Sequence, residues 1–139
     1  MNTNPELVTA IGLPGASESD FADNSPAGLA AQAELKRECL RNLYTILPQD
    51  DIDIVTANSL RQTLSTELEL YDLGEFGDLN NIATPLQSTA EIFDNMPQTA
   101  KEDWELICTR LERVAPALQG WEETLSLRAA KGAPSQSGK

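Results

Sequence analysis

The stretch from Thr99 to Lys131, TAKEDWELICTRLERVAPALQGWEETLSLRAAK, decides the fold class. Its large apolar residues fall at Trp104, Ile107, Leu111, Val114, Leu118, Trp121 and Leu125, so the spacing alternates between three and four. That period belongs to one face of an α-helix and describes a seam against other helices. Thr99-Ala100-Lys101-Glu102 precedes it in the pattern of a capping box, where a hydroxyl and a carboxylate satisfy the first turn reciprocally. Gly132 follows as a helix stop. Pro116 lies inside the run. A proline there removes one backbone donor and crowds the preceding turn, at a cost of about 3 kcal/mol. The sequence therefore predicts a helix broken or kinked near Pro116, with Trp104 and Trp121 on one side.

Working back from this run, Thr84-Pro85-Leu86-Gln87 is another capping box, opening a short helix that Met96-Pro97 ends. Residues 77–83 read as a connection. Val55, Leu60, Leu64, Leu68 and Tyr71 form a long stripe that fades at Gly74 and Gly77. Asp50, Asp51 and Asp53 stand before it, where a helix N-terminus favours negative charge. Leu29, Ala33, Leu40, Leu43 or Tyr44, and Leu47 form the first long stripe, opened by Ser25-Pro26 and stopped by Pro48. Asn4-Pro5 starts a shorter helix that Gly12 ends. No stretch alternates as a strand would. The fold class is all-α, a helical bundle with two long helices, one long helix broken near Pro116, and short helices. Residues 1–24 form a short helix and loop, 25–132 a helical domain, and 133–139 a flexible tail.

Charge narrows the function. Twenty-two acids against ten bases give net −12, a field that repels phosphate backbones and anionic membranes. No segment approaches the run of roughly 18 apolar residues that a membrane span needs. The first basic residue is Lys36, so there is no positive signal-peptide start, and the expected location is cytoplasmic. Cys39 and Cys108 lie on apolar stretches and read as small buried residues with free thiols.

The histidine count is zero. Every Ser-His-Asp, Cys-His and His-Glu-x-x-His arrangement is thereby excluded from this chain, and two cysteines alone cannot close a zinc site. The Asp51 region fails as a calcium loop, because the sixth and twelfth positions hold Thr56 and Gln62 instead of glycine and glutamate. Gly74-Glu75-Phe76-Gly77 lacks the lysine of a phosphate loop. Glu67, Glu69, Glu122 and Glu123 read as solvated. Catalytic residues: none; metal ligands: none; cofactor: none in this chain. One polar cluster stands out, Asn80 to Gln87, since asparagine and glutamine hold a peptide backbone through paired donors and acceptors. Asn81, Thr84 and Gln87 are the substrate-binding candidates from it, against the simpler reading of a turn and a cap.

Several stretches in order resemble a bacterial family known as domain of unknown function 885. They are NSPAGLAA at 24–31, DIDIVTA at 51–57, ELEL at 67–70, DLNNIATPLQ at 78–87, FDNMP at 93–97 and EDW at 102–104. The resemblance implies a much longer, mainly helical protein similar to zinc metallopeptidases, with a His-Glu…Pro-Gly-His-His signature in its later half. Nothing here matches that signature, so no catalytic residue carries over. This chain then corresponds to the region ahead of the catalytic half, with zinc only in a part beyond Lys139, and the 132–139 tail reads as a cut end. The expected role is a helical scaffold forming one wall of a substrate cleft. The alternative is a stand-alone acidic interaction module. The expected partner is the remainder of the same protein or a second copy, through Trp104, Ile107, Leu111, Leu118, Trp121 and Leu125, with no nucleic acid and no membrane.

Overall fold

Proline starts two of the helices, at the first position, where its missing N–H would have no partner anyway. The computed structural model describes residues 20–74 and 84–130. They form α1 (Pro26–Leu43), α2 (Asp51–Leu73), α3 (Pro85–Asp94) and α4 (Lys101–Ala130), with no strand among the described residues. The class is all-α, as the periodicities require. The expected Asn4–Gly12 helix, Asn81 and the 133–139 tail lie outside the described residues.

By contacts the chain splits into two compact units, divided inside α1 after Leu29 and again before Gly77. The division falls within the expected 25–132 domain.

One unit, residues 30–74 of the described chain, is an antiparallel hairpin of α1 and α2. Lys36 pairs with Glu67 at 2.9 Å and Arg37 with Asp72 at 2.7 Å. Ala33, Leu43, Ala57, Leu64 and Leu68 are its buried apolar residues. Asp50 caps α2 by accepting the Asp53 N–H at 2.8 Å, while Asp53 accepts the Gln49 N–H at 3.0 Å. Gly74 ends α2 at φ 77, the left-handed conformation that glycine adopts without Cβ strain.

Two sequence expectations change here. Helix α1 stops at Leu43, not near Pro48. The Thr45 N–H and hydroxyl both donate to the Asn42 carbonyl, at 2.9 and 2.7 Å, and Arg61 donates to the Leu43 carbonyl at 2.7 Å. These donors satisfy the last turn, and Leu47 is left 86% exposed. On α2 the inner line is Ala57, Arg61, Leu64, Leu68 and Tyr71; Val55 and Leu60 face outward.

The other unit joins residues 20–29 to α3 and α4. Ile92, Met96, Ile107 and Trp121 are buried together with Thr84, Thr89, Arg110 and Thr124. Phe21 and Phe93 lie with ring centroids 6.3 Å apart. Helix α4 corrects three expectations. It runs unbroken from Lys101 to Ala130 with Pro116 inside it. Pro116 and Glu112 are both exposed, so water can reach the carbonyl that the proline leaves without a donor. The N-terminal carboxylate is Asp103 rather than Glu102: it accepts the Ala100 N–H at 2.8 Å and the Thr99 N–H at 2.9 Å. Finally, Trp104 is exposed while Trp121 is buried. Seventeen residues at about 100° each place them roughly 100° apart on a straight helix. The 3.5-residue pattern of the sequence drifts around the 3.6-residue helix.

Candidate functional site

The expected polar cluster sits at the start of α3. Thr84 is buried and caps the helix; its N–H donates to Gln87 Oε1 at 3.0 Å, and its hydroxyl bonds the same oxygen. The capping box is present. Gln87 is half-buried with its oxygen committed to Thr84. Asn81 lies outside the described residues.

The densest polar arrangement is one that the sequence did not suggest. Arg110 on α4 has no exposed surface. Its Nη2 donates to the Asp20 carbonyl at 3.0 Å, and its guanidinium carbon lies 5.5 Å from the centre of the Phe21 ring. Arg113, one turn on, pairs with the Asp20 carboxylate. Farther along α4, the Thr124 hydroxyl donates to the Asn24 carbonyl at 2.7 Å. Between them a Cβ on Gly120 would come 3.1 Å from Ser25 Cβ, so helix and segment touch there. The irregular segment 20–25 thus lies along α4, its carbonyls supplied with donors from the helix.

The reason lies in the phase of α4. The line that faces inward is Ile107, Arg110, Val114, Ala117, Trp121, Thr124 and Arg128, all buried or half-buried. It has the same three-four spacing as the apolar line read from the sequence, rotated one step around the helix. An arginine and a threonine at the right phase were the available signal. They are polar, so a search for apolar periodicity passes over them.

Pro26, Gln119, Glu122, Glu123, Ser126 and Leu127 line an open groove of about 520 Å³ with an acidic lip. Cys39 and Cys108 are free but exposed, against the expectation of burial; each lies one residue beside its helix's inner line. No group of three or more Cys, Asp or Glu side chains is placed to hold a metal among the described residues. No described helix is long and apolar enough to cross a membrane. The Asp103 carboxyl is held below the usual aspartate range, by the Ala100 N–H first and then by the Thr99 N–H. That is a helix-capping effect and gives it no acid–base role. The chemistry visible among the described residues is the holding of chain segments and the capping of helices.

A model of a family described as bacterial protein of unknown function, DUF885, matches residues 5–137. No curated protein matches the chain.

Proposed function

Because this chain belongs to the bacterial DUF885 family, we propose that it serves as a non-catalytic helical scaffold region of a larger, cytoplasmic, metallopeptidase-like protein. The observation that carries this is family membership in a chain without a single histidine. Zinc hydrolysis needs nitrogen or thiolate ligands and an open position, which two lone cysteines do not provide. The described polar residues support the reading, because they hold segments and cap helices. In this role the start of α3 contributes to the wall of a substrate cleft. Gln87 offers its amide N–H2 to a peptide carbonyl while Thr84 fixes its oxygen, and Asn81 is a further candidate from the same stretch of sequence.

The rival is a self-standing acidic interaction module. The observation favouring it is that α4 leaves Trp104 and Leu111 about half exposed, at 51% and 54%. The two readings separate on the gene and its product. The scaffold reading expects the reading frame to continue past Lys139 into a histidine-bearing segment. It also expects the longer product to bind zinc and cleave peptides, and residues 1–139 alone to do neither. A stop codon directly after Lys139, or stoichiometric zinc with peptidase activity in the 139-residue chain, overturns it.

A further inference from the structure

The turn that joins α1 to α2 reverses ordinary loop chemistry. Every residue from Tyr44 to Thr56 is exposed. Of the ten exposed large apolar side chains on the described hairpin, six fall between Tyr44 and Val55, with Leu47 at 86% and Ile52 at 75%. Single exposed apolar residues are ordinary, but a concentration of them marks an interaction site.

The turn is pinned at both shoulders. Thr45 donates its N–H and its hydroxyl to the Asn42 carbonyl, Arg61 donates to the Leu43 carbonyl, and the Arg61 guanidinium lies over the Tyr44 ring. On the other side the Asp53 N–H donates to Asp50, and the Gln49 N–H donates to the Asp53 carboxylate. A partner therefore meets a backbone that is already set, which lowers the ordering cost of binding.

Charge selects the partner. Residues 42–60 hold three acids, Asp50, Asp51 and Asp53, and neither lysine nor arginine. Asp50 and Asp53 are occupied with the first turn of α2. Asp51 is exposed and takes part in no hydrogen bond or ion pair. Asp51 and Ile52 both lie one turn before Val55, so carboxylate and aliphatic surface share one face of the helix. A second copy of this chain brings the same sign of charge, and an anionic membrane does too. Lysine and arginine fit: their stems cover aliphatic carbon while their heads reach a carboxylate.

We propose that the α1–α2 turn docks a basic amphipathic segment of another protein, whose aliphatic side chains sit on Leu47, Ile52 and Val55 and whose lysine or arginine lies beside Asp51. The proposal goes beyond the scaffold reading and does not depend on it. One turn is smaller than a standard interface, so the binding is weak. Its charge pairing lies at the edge, so salt weakens it further.

The test is fluorescence anisotropy of labelled peptides titrated with the full chain. One peptide is a helix with a leucine face bordered by lysines. A second has glutamate for each lysine, and a third has serine for each leucine. The first binds, more weakly as salt rises, and the other two bind about tenfold more weakly or not at all. Leu47→Ser or Ile52→Ser weakens the first peptide about tenfold. Asp51→Asn weakens it about threefold and reduces the dependence on salt. Glu122→Gln on α4 changes the net charge equally and leaves binding as it was. All four positions are exposed, and circular dichroism verifies folding. Failure of the leucine–lysine peptide to bind overturns the proposal. Binding that ignores Leu47→Ser and Ile52→Ser, or that falls equally with Asp51→Asn and Glu122→Gln, is attraction to the acidic chain as a whole and overturns it too. So does Leu47-dependent sedimentation with vesicles of phosphatidylcholine, which assigns the turn to a lipid surface.

Discussion

Arg61 and Arg110 do the same job in the two units under different conditions. Each sits on the inner line of its helix. Each donates to a main-chain carbonyl, Leu43 at 2.7 Å and Asp20 at 3.0 Å. Each guanidinium lies over a ring, Tyr44 at 5.2 Å and Phe21 at 5.5 Å. The difference is burial. Arg61 is half-buried and shares its bonding with Asn58, while Arg110 has no exposed surface. One supplies the carbonyl at the end of α1 from a half-buried position; the other supplies the Asp20 carbonyl from a position with no exposed surface. The α1–α2 hairpin is held at its rim by exposed pairs, which contribute at most about 1 kcal/mol each. The α4 unit depends on donors inside it, whose removal leaves part-buried acceptors without that partner.

The comparison is most directly broken by truncating both arginines. Arg110→Ala is expected to cost roughly 3 kcal/mol or more, through the lost bond and the space left behind. Arg61→Ala is expected to cost about 1 kcal/mol, since water replaces part of what is lost. Urea unfolding read by tryptophan fluorescence follows the α4 unit, which holds both Trp104 and Trp121; circular dichroism follows both units. Equal losses would mean that burial does not separate the two anchors.

Two glycines sharpen the contrast. Glycine-to-alanine in an exposed helix interior ordinarily stabilises by about 1 kcal/mol. At Gly28 the new Cβ would collide with the Asp23 carbonyl oxygen, in the unit built on close backbone approach. Gly28→Ala is therefore expected to destabilise, by about 1–3 kcal/mol. At Gly74 there is open space but a φ of 77, so Gly74→Ala costs about 1 kcal/mol through backbone strain alone. A stabilised Gly28→Ala chain in thermal unfolding would show that segment 20–25 yields easily.

The smallest effect is in acid. Asp103 has a folded pKa below its unfolded one, so its contribution is complete above the ordinary aspartate range. That contribution is lost as pH falls through the lowered folded value. In a stability–pH profile, Asp103→Ala should lower the neutral plateau slightly and flatten this part of the acid limb, so that variant and parent converge in acid. An unaltered acid limb would show that the cap at α4 does not couple to folding.

Most of the secondary structure was legible locally. Ser25-Pro26, the aspartates at 50–53, Gly74 and the Thr84–Gln87 box each place a helix end through contacts spanning a few residues. The start of α4 was legible to within one residue, since Glu102 and Asp103 are both carboxylates and only the backbone's path chose between them. The end of α1 was not, because Arg61 comes from 18 residues away to take its carbonyl. Of the polar candidates at 81–87, Thr84 and Gln87 form the capping box that their pattern spells. Arg110 stayed hidden because a lone arginine in a helix reads as solvated.

The sequence by itself determined that the chain is helical, where its helices begin, and that it has no histidine with which to bind zinc; these follow from composition and from periods shorter than one turn. Only the tertiary structure decided which of two neighbouring lines on α2 and α4 turns inward. The apolar count favours Val55 and Leu60 on one helix and Trp104 and Leu111 on the other. The inward lines instead carry Arg61, Arg110 and Thr124. Burying a few more aliphatic carbons is worth less than leaving the carbonyls of Asp20, Asn24 and Leu43 without donors, and no window of sequence shows where those carbonyls will be.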